Sequence, residues 1–322
     1  MRRSFRVAFP LVLVSVALAV SATCASASQV IDRGVRKATL AVDSKGEALI
    51  TYTLPSGKLR HTLAWGAINA LQPRQGAHQV HFSLDYSGGY GKYHKVYWKT
   101  FANACRPYDG PTLSYVVAAC KAPDGSYWAV QSWDVFWPDL GFTPWKSTQS
   151  YVMTLSHWTG ALAVVDAHAD WIYDGRFHQL FGTFTYNGEP VYGFKTTQFG
   201  APVDSFGRLV YIDTLNAPKY GAGWRRENSF VAHSGSGGFC YGFFQFNPLH
   251  GGYAHPAGYK GGLRGPGVSA EYRVTGEGPG VTPDVAVLVK DPGKWSARNT
   301  AMAQEQQQSD VLKKQLKLSN CA

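Results

Sequence analysis

The sequence predicts an all-β protein, antiparallel and sandwich-like, made of two packed β halves and ending in a C-terminal helix or tail. Three observations predict it. Apolar residues recur with period two along most of the chain. Thirty-five glycines and 17 prolines break those runs into short segments with turn chemistry between them. The longest stretch free of both after the leader, beginning at Trp295, is confined to the C-terminus.

The leader comes first. Arg2, Arg3 and Arg6 precede an apolar stretch from Val7 to Ala22, and Ala25-Ser26-Ala27 supplies small residues for a signal peptidase. That order predicts export with cleavage after Ala27, leaving Ser28–Ala322. The apolar run is shorter than the ~20 residues a spanning helix needs, and no second such run follows, so no transmembrane span is expected in the mature chain. Arg2-Arg3-Ser4-Phe5 resembles the core of a twin-arginine signal, which leaves the general and twin-arginine routes both open.

Residues 28–140 read as an N-terminal β region. Thr39–Val42 and Ala48–Leu54 form a hairpin around Asp43-Ser44-Lys45-Gly46, with Ala48, Ile50, Tyr52 and Leu54 on one mainly apolar face. Gln79–Asp85, Lys95–Phe101 and Thr112–Cys120 repeat the alternation. Residues 141–294 read as a C-terminal β region. There Asn187-Gly188 joins strands Phe177–Tyr186 and Val191–Thr197, the strongest short hairpin signal in the chain. Phe206–Asp213, Asn228–His233, Phe239–Phe246, Val268–Thr275 and Asp284–Lys290 complete the strands. The boundary is drawn in the turn-rich loop Pro138–Lys146, and one large sandwich across both halves is the alternative. Residues 295–322 read as a helical or flexible tail, with Ser296 as cap and Leu312 and Leu316 on one face.

Four cysteines remain after cleavage: Cys105, Cys120, Cys240 and Cys321. Cys105 and Cys120 flank the turn Pro107–Pro111, and a disulfide between them would add roughly 3 kcal/mol by chain entropy. Cys240 then either pairs with Cys321 or stays a buried thiol among Phe239, Tyr241 and Phe244.

The formal net charge is +10, of which the leader's three arginines supply three. A basic exported chain tends toward anionic surfaces such as wall polymers, headgroups or acidic polysaccharide. The mature charges are scattered, with few basic doublets such as Arg225-Arg226 and Lys313-Lys314, which argues against a nucleic-acid partner. P-loop, dinucleotide-binding, H-E-x-x-H and EF-hand motifs are all missing, so no cofactor is implied.

Two clusters carry the functional expectations. Six of the ten tryptophans fall between Trp128 and Trp171. Trp137, Phe142 and Trp145 lie in or beside a proline-containing loop, where exposed rings would stack on the C–H faces of sugars. The alternative is that the rings are core, and period two places Trp128 and Trp133 on opposite strand faces. Asp166, His168 and Asp170 share one face of an extended strand, where they could hold a divalent metal or orient a histidine as general base. His157 and Asp174 are close enough in sequence to join them. The first cluster predicts a secreted, non-catalytic binding protein for polysaccharide or another cell-wall polymer. The second predicts a secreted hydrolase, with or without a metal. A structural envelope protein without ligand is the third reading.

Overall fold

The computed structural model describes residues 28–70, 80–136, 149–172, 177–191, 271–290 and 300–315. It also describes short stretches at 195–196, 202–203, 210–214, 228–230, 238–242, 246–247, 252–253, 292–293, 295–296 and 298. In chain order the first strands are β1 (Gln29–Arg33), β2 (Arg36–Val42), β3 (Ala48–Thr53), β4 (Leu59–Gly66) and β5 (Phe82–Asp85). A single helical turn, α1 (Tyr90–Tyr93), and a 3-10 turn at Tyr97–Lys99 follow. Next come β6 (Arg106–Pro107), β7 (Val116–Lys121), β8 (Tyr127–Phe136) and β9 (Gln149–Trp158). The second half holds β10 (Val164–Ile172), β11 (Phe177–Tyr186), β12 (Glu189–Pro190), β13 (Lys195–Thr196), β14 (Pro202–Val203) and β15 (Val210–Thr214). It continues with β16 (Asn228–Phe230), β17 (Gly238–Gly242), β18 (Phe246–Asn247), β19 (Gly252–Tyr253), β20 (Glu271–Gly276), β21 (Val285–Lys290) and helix α2 (Thr300–Gln315).

The architecture is all-β and antiparallel, as the alternation predicts. In the first half, sheet β2-β3-β4-β5 packs face to face on sheet β1-β9-β8-β7-β6. Ala48, Ile50 and Tyr52 of β3 point into the shared core with Val42, Ala64, Phe82, Trp128, Val130, Met153 and Leu155. Asp43 makes the β2–β3 turn by accepting the amides of Lys45 and Glu47 on one carboxylate oxygen, at 2.9 and 3.0 Å. Trp128 and Trp133 do face opposite ways, and both are buried. Trp128 enters the core between the sheets; the indole N–H of Trp133 donates on the other face, to Asp284 at 2.9 Å. Cys105 and Cys120 pair as a disulfide, their Cα atoms 5.7 Å apart.

In the second half, β10, β11 and β17 form a sheet whose apolar face packs on β16-β15-β20-β21. Ala163, Leu180, Phe184, Phe239, Val274 and Val289 meet there. Asn187 and Gly188 both have positive φ, 52° and 77°, the left-handed pair that a two-residue hairpin requires between β11 and β12. Cys240 lies in β17 opposite Phe181, and Cys321 falls outside the described residues.

Several boundaries differ from expectation. Lys95–Phe101 is no strand: the Lys99 amide bonds to Val96 O and the Thr100 amide to Tyr97 O, which closes a 3-10 turn. The tyrosine hydroxyls here reach buried carboxylates across the sheet, and that anchoring overrides the alternation. β8 and β9 flank 137–148 and pair along their whole length, from Tyr127↔Trp158 to Phe136↔Gln149. The loop Pro138–Lys146 itself lies outside the described residues. The C-terminal helix begins at Thr300, and it rests on the polar face of β10, where Ser309 and Lys313 are buried.

Candidate functional site

The ring-bearing surface that the structure describes is a strap, residues 86–101, which crosses the outer face of β2-β3-β4-β5. It holds six aromatic residues (Tyr86, Tyr90, Tyr93, Tyr97, Trp98 and Phe101), three lysines (Lys92, Lys95 and Lys99), His94 and no acid. Gly88 and Gly89 start it with φ of 68° and 100°. A Cβ on Gly88 would lie 2.6 Å from the Trp98 ring, and one on Gly89 would lie 2.5 Å from Tyr97. Glycine is thus required twice over, for conformation and for space.

Three carboxylates pin the strap. Glu47, buried at the end of the β2–β3 turn, accepts the Tyr93 hydroxyl at 2.5 Å and pairs with the Lys92 ammonium. Asp43 accepts the Tyr97 hydroxyl at 2.9 Å. Burial pushes both phenols up, Tyr97 to about 12, and the neighbouring carboxylates add to the effect, so both stay neutral donors. Asp85 accepts Ser87 and Lys92 amides at 2.9 and 3.1 Å. Burial works to raise the Asp85 carboxyl, but the Ser87 hydroxyl and the amides of Ser87, Lys92 and Gly91 outweigh it and hold the group below its ordinary value.

With the backbone held, the rings and cations stack. His61 and Trp98 lie parallel, centroids 4.1 Å apart, and burial lowers the His61 imidazole so that it favours the neutral form. The Lys92 ammonium sits 3.9 Å from the Trp65 centroid, and Lys99 lies 5.5 Å from that of Trp98. Tyr90 is 57% exposed and Tyr86 44%. Such a surface offers flat apolar faces beside fixed positive charge.

A second polar group lies at the edge of the first sandwich. Ser126 Oγ is 2.9 Å from His157 Nε2 and 2.6 Å from Asp124 Oδ1. His157 Nδ1 is 3.1 Å from Gly66 O, and the ring stacks on Trp128 at 3.9 Å. Burial lowers the His157 imidazole, partly opposed by the Gly66 and Ala67 backbone and by the Asp124 charge. In the neutral ring Nδ1–H donates to Gly66 O, and Nε2 lies beside the Ser126 hydroxyl, whose one proton is shared with the Asp124 carboxylate. A serine-histidine contact of this kind is a nucleophile's arrangement only where substrate can reach the hydroxyl. Ser126 is 1% exposed, so the group works as a tie between the two sheets.

The residues singled out from sequence are distributed as follows. Trp137, Phe142, Trp145 and Asp174 lie outside the described residues. Asp166 and His168 are exposed on β10 and touch, with His168 Nε2 3.2 Å from Asp166 Oδ1. Asp170 shares their strand face but is buried beneath α2, where its Oδ1 accepts the Trp171 amide at 2.7 Å. Burial raises the Asp170 carboxyl, and Ser309 and the Lys313 charge oppose the rise. His157 belongs to β9 and contacts Ser126 instead of this face. Among the described residues no group of three or more His, Cys, Asp and Glu is placed to hold a metal ion. None of the described helices is long and apolar enough to cross a membrane.

The strap was missed in the sequence because its alternation imitates a strand. The signal that could have found it is composition: Gly88-Gly89-Tyr90-Gly91-Lys92-Tyr93-His94-Lys95 combines turn residues, rings and cations without an acid. Compared with known proteins, the chain matches no family model, no curated protein and no solved structure.

Proposed function

We propose that the chain is an exported binding protein for an anionic, ring-containing polymer such as acidic polysaccharide, and that the strap 86–101 is its contact surface. The observation that carries this reading is the combination of exposed Tyr86 and Tyr90 with exposed Lys95 and Lys99 on a backbone pinned by Glu47, Asp43 and Asp85. Sugar rings stack on tyrosine faces, and their carboxylates meet the lysines. A pre-ordered strap loses little entropy on binding. The excess of positive charge over the whole chain would draw such a polymer in.

Affinity electrophoresis tests it, with the purified mature protein run through gels containing polygalacturonate or neutral dextran. Retardation is expected in polygalacturonate alone and should weaken as salt rises. Tyr90→Ala should lower the affinity roughly 5- to 10-fold, the worth of one stacked ring. Equal mobility in both gels at low salt sinks the proposal. A hydrolytic reading retains one observation, the exposed Asp166–His168 pair. Release of reducing ends from the same polymers, lost in His168→Ala, would favour it.

A further inference from the structure

Ser28, the first described residue, is enclosed by protein, and its hydroxyl donates to Asp284 Oδ1 at 2.6 Å across 256 positions of sequence. Asp284 is fully buried. Its Oδ1 also accepts the Gly278 amide at 3.0 Å, while Oδ2 accepts the Trp133 indole N–H at 2.9 Å and the Thr154 hydroxyl at 3.2 Å. All four donors are neutral. Among the described residues no lysine, arginine or histidine pairs with this carboxylate. A buried carboxylate without a cation is disfavoured, and burial pushes this one up against the pull of its hydrogen bonds. Ser28 also has φ of 24°, in the left-handed region that crowds a Cβ.

Both features fit a chain end. The residue follows Ala25-Ser26-Ala27, the cleavage sequence. We propose that Asp284 is the binding site for the protein's own new N-terminus: cleavage after Ala27 leaves an α-ammonium on Ser28 that ion-pairs with Asp284 and locks β1 to the C-terminal segment. The inference rests on the export reading. A signal peptidase hydrolyses the Ala27–Ser28 peptide bond with one water, whose hydroxyl goes to the Ala27 carbonyl carbon. The Ser28 nitrogen becomes an amine, and the proton released by the new Ala27 carboxylic acid makes it an ammonium. That nitrogen is three bonds from Oγ and so within about 4 Å of it, which leaves the carboxylate in reach after a small rotation. With Ala27 gone, the backbone torsion that crowds Ser28 no longer exists.

The test compares the mature chain with one carrying a single additional N-terminal alanine. Intact mass of the exported protein comes first, and a start other than Ser28 overturns the cleavage reading and the lock together. Given a Ser28 start, the mature chain should melt several degrees above the extended one, and the gap should close in Asp284→Asn. The α-amine of the folded mature chain should be acylated at least tenfold more slowly than that of the extended chain, a readout on the natural residue that needs no variant to fold. Equal melting and equal acylation overturn the lock and leave export standing.

Discussion

His157 shows how a polar residue can be buried near the end of a core strand. Its ring stacks on Trp128, and both nitrogens have partners, Gly66 O and Ser126 Oγ. The cost appears in acid. An unfolded histidine titrates near 6.5. The folded ring titrates lower because it is buried. Between the two values the unfolded chain binds a proton that the folded chain does not. Its contribution to stability is therefore complete above about pH 6.5 and is lost as pH falls through the folded value. The slope from one such group is at most about 1.4 kcal/mol per pH unit. Urea midpoints measured from pH 7.5 to 5 should decline in the native sequence and decline less steeply in His157→Gln. Parallel declines in the two proteins would refute the assignment.

At the scale of elements, the Cys105–Cys120 pair closes a loop of sequence separation 15 around β6 and the Pro107–Pro111 turn. Inside that loop β6 pairs with β7 and β7 pairs with β8, so the native ladder fixes the chain with or without the bridge. Removing the disulfide should therefore act mainly by freeing the unfolded chain, costing about 3 kcal/mol. Urea denaturation of the Cys105→Ala/Cys120→Ala protein should show that loss, and an unchanged midpoint would count against it. This loop was legible in sequence, because cysteine spacing and turn residues are local signals. So were the hairpins at Asp43–Gly46 and Asn187-Gly188, each fixed by a residue that accepts local amides or tolerates positive φ. The strap 86–101 was not, since its shape is imposed by Glu47 and Asp43, some fifty residues away. Asp170 illustrates the same limit. Period two gives it the face of Asp166 and His168, and only the packing of α2 separates their environments.

At the scale of the whole molecule, the two sandwiches are joined by the segment just before β21. The Val281 carbonyl takes the His157 amide at 2.9 Å, beyond the point where β1 stops pairing with β9. Asp284 N donates to Gln131 Oε1 at 2.9 Å, and Gln131 Nε2 returns bonds to Asp284 O and Ser114 O at 2.8 and 2.6 Å. The Tyr115 hydroxyl meets Thr275 Oγ1 at 2.7 Å. Residues 281–284 are thus part of the first sandwich's interior, while β20 and β21 belong to the second. Neither half can unfold without exposing that junction, so the native protein should unfold in one step. Among the described tryptophans the buried ones, Trp128, Trp133 and Trp158, are all in the first half, so the fluorescence change on their exposure reports on it, whereas far-UV circular dichroism reads both halves. The two urea curves should coincide in the native sequence. Asp284→Ala strands the donors of Ser28, Gly278, Trp133 and Thr154 in a dry interior, a loss of about 3 kcal/mol or more. In that variant the fluorescence curve should shift to lower urea and separate from the dichroism curve. Two resolved transitions in the native sequence, or coincident unshifted curves in the variant, would show that the halves are held by contacts other than this junction.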